Sequence, residues 1–288
     1  MVSIKELAHT GDTGKEPYLI GLIDGVLQFY PGSITVISSC SGMGRTSFMF
    51  HLMVNLMTCN EGGHIFVSND ENERRLLYKL LKTVSGLEYS EIKSQFEEIV
   101  KDRAEIIRDD CYFITHIIKW EHMEEEIVTV CNKKNIKFLY IDNIHSFVSN
   151  FEFPDRESEM NYIMNRLKKI AIEFQSTIII SSSVHSKINK RKDKRPRLSD
   201  LRDGNVLIDY ADNVLLLYRQ LYYGIYEDYG FETMNILEVI ISKCRNCNPQ
   251  TIHYTTDGTV ACWPSHINAY TTNLDERLKN YINQASTK

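Results

Sequence analysis

The sequence predicts an α/β fold in which a mostly parallel central sheet is covered by helices on both faces. Two observations carry this prediction. Strand-length apolar runs alternate with helical segments, and the runs are almost continuously apolar, as in ITVIS at 34–38 and TIIIS at 177–181. Strands buried on both faces lose the polar alternation of a half-exposed sheet. The chain has 288 residues, a length at which one α/β domain is ordinary.

Local pattern places each element of this fold. Pro31 and Gly32 form a turn that precedes the first strand, and the longest helix is amphipathic, with Ile163, Leu167 and Ile170 on one face. The predicted strands are 34–38, 65–68, 112–115, 138–142, 177–181, 214–218, 236–242 and 251–254. The predicted helices are 46–59, 72–84, 88–107, 121–133 and 155–174.

Composition excludes several classes of protein. Hydrophobic residues make up 43% and charged residues 25%, which excludes a disordered chain, a fibrous repeat and a disulfide scaffold. No apolar run approaches the ~18 residues of a membrane span, and no signal peptide is visible, so we expect a cytoplasmic protein without a membrane partner. The seven cysteines are expected to be free thiols, and Cys244 and Cys247 lack the second ligand pair that a zinc site needs.

Positive charge is concentrated in one segment. The run KINKRKDKRPR at 187–197 has a net charge of +6, whereas the whole chain has −5, so the remainder has −11. Such a segment indicates a local contact with phosphate groups, and a solvated loop remains the alternative. Its basic residues are Lys187, Lys190, Arg191, Lys192, Lys194, Arg195 and Arg197.

A phosphate-binding loop is predicted between the first strand and the first helix, in SSCSGMGRT at 38–46. Gly42 and Gly44 permit backbone N–H groups to approach a phosphate at a helix N-terminus, and the Thr46 hydroxyl suits Mg²⁺. Two positions depart from G-x-x-x-x-G-K-[ST]: Ser39 replaces the first glycine and Arg45 replaces the lysine. A plain Gly/Ser turn before a helix is the alternative.

An acidic residue ends the strand at 138–142. Asp142 stands where a Walker-B carboxylate holds Mg²⁺. An aspartate after a strand is also common as a turn or a helix cap, so this position alone does not decide the function.

A longer run is more specific. The sequence DKRPRLSDLR at 193–202, with YAD at 210–212 and LYR at 217–219, resembles the C-terminal ATPase domain of DnaB-type replicative DNA helicases. Flanking segments agree in order, namely LIGLIDGVL at 19–27, PGSITVI at 31–37, SGMGRT at 41–46, SNDE at 68–71 and KCRN at 243–246. The resemblance covers about residues 18–256.

The resemblance implies a RecA-like P-loop NTPase fold and divides the chain into a linker remnant (1–17), the helicase ATPase domain (18–265) and a tail with a short helix (266–288). It implies a hexameric ring of identical subunits, with ATP and Mg²⁺ between subunits and single-stranded DNA in the centre. None of these three segments corresponds to the family's N-terminal domain. A separate chain is a candidate source of that domain.

The family's site residues carry over by position. Nucleotide contacts fall on Ser41, Gly42, Met43, Gly44, Arg45, Thr46 and Ser47, and metal contacts on Thr46 and Asp142. The catalytic set is Arg45, Asp70, Glu71, Asp142 and the two trans-acting fingers Lys243 and Arg245. DNA contacts fall on the basic run together with Arg202, Asp203 and Asn205.

Three departures bear on catalysis. Arg45 replaces the lysine, Asp70 replaces the glutamate that activates water, and Ser183 replaces a glutamine that senses the γ-phosphate. Glu71 would compensate for Asp70 only with a local twist, because adjacent strand residues point to opposite faces. We therefore expect an ATP-dependent helicase or translocase with weak or absent hydrolysis. The alternatives are a non-hydrolysing nucleotide- or DNA-binding ring component or adaptor of a phage or mobile element, and a RecA- or KaiC-like ATPase.

The sequence leaves alternatives for the role of one aromatic segment. Tyr222, Tyr223, Tyr226 and Tyr229 fall in a predicted loop, where they would stack on a base or nucleotide, or form a lid or a subunit contact.

Overall fold

The computed structural model describes residues 17–18, 26–103, 109–228, 231–234 and 236–255. The strands there are β1 (Ile34–Ser39), β2 (Gly63–Ser68), β3 (Cys111–Thr115), β4 (Ile136–Asp142), β5 (Thr177–Ser183), β6 (Asn213–Tyr218), β7 (Glu227–Asp228), β8 (Phe231–Glu232), β9 (Ile236–Cys244) and β10 (Gln250–Thr255). The α-helices are α1 (Arg45–Cys59), α2 (Glu73–Ser85), α3 (Tyr89–Ser94), α4 (Phe96–Asp102), α5 (Trp120–Lys133), α6 (Arg156–Phe174) and α7 (Gly204–Tyr210).

Eight of these strands form one sheet in the order β10-β9-β6-β1-β5-β4-β2-β3. The six strands from β6 to β3 in this order pair in parallel. At one edge of the sheet, β9 pairs antiparallel with β6, and β10 pairs antiparallel with β9. The predicted mostly parallel sheet with helices on both faces is therefore confirmed. The carboxyl ends of β1, β4 and β5 meet at one edge of the sheet, where ligands bind in folds of this class.

Two apolar layers bury the sheet. On one face α1 and α2 pack through residues such as Phe48, Leu52 and Leu76, and on the other α5, α6 and α7 pack through residues such as Trp120 and Leu167. Successive residues of a strand point to opposite faces, and Val36 and Ile37 accordingly join different layers. Among the described helices, none combines the length and the apolar character needed to cross a bilayer.

Side-chain caps fix where two helices begin. The Asp155 carboxylate accepts a hydrogen bond from the backbone N–H of Ser158 at 2.7 Å, and the Asn72 side chain accepts from Arg75 N–H at 3.0 Å. Such caps satisfy donors that the first helical turn leaves without partners. They place the starts of α6 and α2 one residue after the predicted positions.

Three regions differ from the predicted elements. Within the described part of the helix predicted at 88–107 there are two short helices, α3 and α4, because Gln95 has a non-helical backbone between them, and residues 104–107 lie outside the described residues. Helix α7 and the antiparallel pair β7–β8 were not predicted, because they lie in stretches interpreted as loops. The linker remnant (apart from residue 17), the tail 266–288 and Tyr229 lie outside the described residues.

We expect stability to fall in mild acid, because His51 is buried in α1 and burial lowers its pKa to about 4. Between pH 6.5 and 4 the unfolded chain binds the proton and the folded chain does not, so the free energy of unfolding decreases as pH falls through this window. The contribution is at most about 3 kcal/mol. Denaturant unfolding at pH 7 and pH 5 should show a smaller loss in His51→Leu than in the wild type, and equal losses would contradict this role.

Candidate functional site

The turn between β1 and α1 has the backbone of a phosphate-binding loop. Gly42 and Gly44 have φ of 80° and 91°, in the left-handed region that favours glycine. A Cβ atom at Gly42 would lie 3.0 Å from Cε2 of Tyr222, so that ring packs directly against the turn. Met43 is buried beneath the turn and fixes its position, whereas Ser41 is exposed. The outer side of the turn is therefore accessible to solvent.

A carboxylate and two hydroxyl groups meet beside this turn. Thr46 Oγ1, in the first turn of α1, donates to Asp142 Oδ2 at 2.6 Å, and Ser181 Oγ donates to Asp142 Oδ1 at 2.5 Å. Asp142 ends β4 and is only 8% exposed. Oxygen donors of this kind suit Mg²⁺, so the predicted pair of Thr46 and Asp142 is assembled. Ser181 was missed, although the serine run at 181–183 after three isoleucines was a visible signal.

Arg45 is directed toward the end of β5. Its guanidinium donates to the carbonyl oxygen of Ser182, to Ser183 Oγ at 2.9 Å and to Ser39 O at 3.5 Å. Burial lowers the pKa of Arg45, and the carboxylates of Asp142 and Asp70 partly offset that shift. Arginine nevertheless stays charged, so the oxygen atoms of β1 and β5 hold a cation beside the phosphate loop.

The two acidic residues after β2 have different partners. Asp70 is exposed, and its Oδ2 accepts from Asn143 Nδ2 at 3.2 Å, which places it at the same sheet edge as Asp142. Glu71 is ion-paired with Lys79 of α2. Both residues lie beyond the end of the strand, so strand alternation does not apply to them. The ion pair directs Glu71 toward α2, and its compensating catalytic role stays a prediction.

The predicted fingers lie at the far end of the sheet. Lys243 Nζ donates to the carbonyl oxygen of Ile208 at 2.6 Å, and Arg245 Nε lies 2.9 Å from Asp212 Oδ1. Cys244 and Cys247 flank Arg245 and form a disulfide, with Cα atoms 5.4 Å apart. The free-thiol expectation is wrong for this pair, because the turn after β9 brings the two residues within bridging distance.

The basic run divides into two groups. Arg195 is bonded to the buried Glu238 at 2.8 Å and to Asp228 at 2.8 Å, and Arg191 is bonded to both oxygens of Asp200. Lys194 donates to backbone carbonyl groups within the run and lies over the Tyr223 ring. These three cations are held by the protein, contrary to the expectation that the whole run faces phosphate. The exposed members are Lys187, Lys190, Lys192 and Arg197.

The three other residues predicted to contact DNA lie at the start of α7. Arg202 and Asn205 are exposed, and Asp203 has φ of 52° at the position before the helix. The expected loop is therefore a turn followed by a short helix. Arg202 N–H donates to Ser183 O at 2.9 Å, which ties this turn to the end of β5 and so to the Arg45 site.

The tyrosine segment packs on the phosphate loop. Tyr222 lies against Gly42, and Tyr223 OH lies 3.3 Å from Cys40 Sγ and 3.2 Å from Asn189 Oδ1. Tyr222 and Tyr226 are 53% and 65% exposed. The expectations for this segment, a stacking surface, a lid or a subunit contact, all stay predictions.

Comparison with protein families gives a match over most of the chain. Residues 21–263 match the family described as "DnaB-like helicase C terminal domain".

Solved structures of low sequence identity share the fold. One of them, an ATPase domain, has a TM-score of 0.75 and 21% identity, with coverage of 90% of this chain and 95% of that one. Another is titled "The Structure Of A DnaB-Like Replicative Helicase And Its Interactions With Primase", with a TM-score of 0.74, 21% identity and coverage of 90% of this chain and 64% of that one.

Curated relatives are similar over about half of their length. The chain is 26% identical to a "Probable plasmid replicative DNA helicase" of Chlamydia psittaci, over 75% of this chain and 47% of the relative. It is 26% identical to a "Probable replicative DNA helicase" of Trieres chinensis, over 80% of this chain and 54% of the relative. The chain thus spans about half the length of these relatives.

The division of the basic run predicts different costs for two arginines. Arg195→Ala leaves the buried Glu238 without its cation, so we expect a loss of about 2–4 kcal/mol in the free energy of unfolding. Arg197→Ala removes an exposed cation and should change it by less than about 0.5 kcal/mol. Urea denaturation of both variants checks this, and equal losses would show that Arg195 is not a structural residue.

Proposed function

The chain belongs to the DnaB-like helicase C-terminal domain family, and from that premise we propose that it is an ATP-dependent helicase or translocase motor acting on single-stranded DNA. The observation that carries the proposal is the turn with Gly42 and Gly44 leading into Thr46, whose hydroxyl is bonded to Asp142. The relatives named as replicative helicases support a role in DNA replication.

ATP and Mg²⁺ are the proposed cofactors, and the residues present fit them. The backbone of Ser41–Ser47 would hold the phosphates, since its two glycines leave the space that side chains would fill. Thr46 and Asp142 would hold Mg²⁺, which neutralises charge on the phosphates when bound. Ser181 keeps the Asp142 carboxylate oriented toward Thr46.

Two substitutions support slow hydrolysis. The Arg45 guanidinium is engaged by Ser182 and Ser183, so a phosphate has to compete with the protein for it. The Asp70 carboxylate is one methylene shorter than a glutamate and is hydrogen-bonded to Asn143. A non-hydrolysing ring component or adaptor is the second candidate, and the engaged Arg45 is the observation that favours it.

Assembly into a ring of identical subunits is supported by the position of the fingers. Cys244 pairs with Asn213, which pairs with Thr35, at the amino end of β1. The phosphate loop follows Ser39 at the other end, four residues or about 13 Å of strand away. Arg245 therefore lies far from the phosphate loop of its own subunit, and a neighbouring copy is the source we propose for the cation that completes each site. A hexamer remains part of the proposal.

The DNA path is proposed along one exposed surface. The exposed groups available to a phosphate backbone are those of Lys187, Lys190, Lys192, Arg197, Arg202 and Asn205. Asp203 would act on that surface by fixing the start of α7.

The central experiment measures ATP binding and turnover with and without single-stranded DNA, in the wild type and in Arg45→Lys and Thr46→Ala. A lysine ammonium is compact and does not bridge Ser182 and Ser183 as the guanidinium does, so we expect turnover in Arg45→Lys to rise about tenfold, which is less than the ~10²–10³-fold effect of one fully engaged donor. Thr46→Ala should abolish turnover. A fall in Arg45→Lys would show a pocket shaped around arginine, and a wild type that binds no ATP would refute the motor function.

Charge reversal tests the DNA path. Replacement of Lys187, Lys190, Lys192 and Arg197 by Glu should weaken binding of single-stranded DNA at least tenfold at about 0.1 M salt, and should flatten the slope of log K against log salt by about 3. The matched control replaces four exposed lysines elsewhere, Lys93, Lys101, Lys133 and Lys134. Equal effects in the two variants would remove the segment from the DNA path.

A further inference from the structure

A buried histidine joins the nucleotide edge of the sheet to the turn before α7. His145 lies in a short 3₁₀ turn after β4, and its side chain is only 4% exposed. Its Nε2 atom lies 2.9 Å from Ser182 Oγ, and its Nδ1 atom lies 3.1 Å from Asp203 Oδ2. One ring therefore contacts two segments that are distant in the chain and belong to different parts of the proposed function.

The chemistry of the partners assigns the proton of this ring. Burial lowers the pKa of His145 to about 4, with Arg202 and Arg156 acting in the same direction and Asp203 opposing them. The ring is therefore neutral at pH 7 and has one N–H. A carboxylate only accepts hydrogen bonds, so the proton lies on Nδ1, which makes a close electrostatic contact with Asp203 rather than an aligned hydrogen bond, and Nε2 accepts from the Ser182 hydroxyl.

Each end of this link leads to a functional group. Ser182 is the residue whose carbonyl oxygen accepts from Arg45, beside the phosphate loop. Asp203 stands between Arg202 and the first residues of α7, and its left-handed backbone sets the direction of that helix. Arg156 Nε also lies 4.0 Å from Asp203 Oδ2, so the carboxylate is held from two sides.

We propose that His145 is a positioning residue that couples occupancy of the phosphate loop to placement of the 202–205 turn. A phosphate that draws Arg45 away from β5 changes the bonds of Ser182. The neutral ring has one donor and one acceptor, and these cannot be exchanged between its two partners. A displacement of Ser182 therefore moves the ring and, with it, Asp203. The inference rests on the proposed function, because it needs a nucleotide at one end and DNA at the other. Its physical basis is that loss of the Ser182 bond leaves the buried Nε2 atom unsatisfied, and displacement of the ring ends the close contact between Nδ1 and the Asp203 carboxylate.

The experiment measures the affinity of the full chain for single-stranded DNA with and without a non-hydrolysable ATP analogue and Mg²⁺. The ratio of the two affinities is the coupling, and the same ratio has to appear for analogue binding with and without DNA. We expect a coupling of about tenfold in the wild type, within the usual range for linked sites. In His145→Ala it should fall to within about twofold of one, since neither bond remains.

Two conservative variants separate coupling from packing. The His145→Asn amide can replace the Nδ1 donor to Asp203 and the His145→Gln amide can replace the Nε2 contact to Ser182, so each is expected to keep one bond and lose coupling. His51→Leu is the matched control, since it removes another buried histidine of lowered pKa and should keep the wild-type ratio. If His145→Ala fails to fold, the Asn and Gln variants carry the test.

The outcomes distinguish this inference from the proposed function. A wild type that binds neither the analogue nor DNA refutes both. A wild type that binds both ligands without coupling refutes the inference alone. Folded His145 variants that bind both ligands and keep the wild-type ratio also refute it alone.

Discussion

Parallel pairing of β1 with β5, and of β5 with β4, is the constraint on which the site depends. Because the register matches Ser39 with Ser183 and Ile141 with Ile180, the ends of three strands reach the same edge of the sheet. The hydrogen bonds among Thr46, Asp142 and Ser181 follow from that alignment. A shift of one residue in β5 would turn its serines away from Asp142, since strand side chains alternate between faces.

Arg45 shows how the same edge accommodates a changed charge. A long guanidinium at the first position of α1 extends past the phosphate loop and meets the carbonyl and hydroxyl groups at the end of β5. Burial disfavours its charge, whereas Asp142 and Asp70 favour it. Arg45 thus keeps its charge and is held partly by protein oxygen atoms. A phosphate has to compete with these oxygen atoms for the guanidinium, so the position of Arg45 is linked to Ser182 and, through Ser182, to His145.

The fold was predictable where burial dictates the residues. Apolar runs such as 34–38 and 138–142 fit strands covered on both faces, and their carboxyl ends located the phosphate loop and Asp142, respectively. The start of α7 was not predictable, because the sequence DGN at 203–205, which spans the N-cap and the first two residues of the helix, resembles a turn. The position of His145 between Ser182 and Asp203 was equally hidden, since both partners are distant in the chain and Ser182 lies 37 residues away.

The basic run illustrates the same limit for electrostatics. Sequence alone counts seven cations and predicts a strong local field, but it does not reveal that Arg195 pairs with Glu238, 43 residues away. Three carboxylates, those of Asp200, Asp228 and Glu238, neutralise the two arginines nearest to them. The field that reaches solvent is therefore set by the exposed cations rather than by the net charge of the run. Because phosphate contacts depend on exposed cations, only the exposed residues of the segment belong to the proposed DNA path, whereas Arg191 and Arg195 hold the fold together through their carboxylate partners.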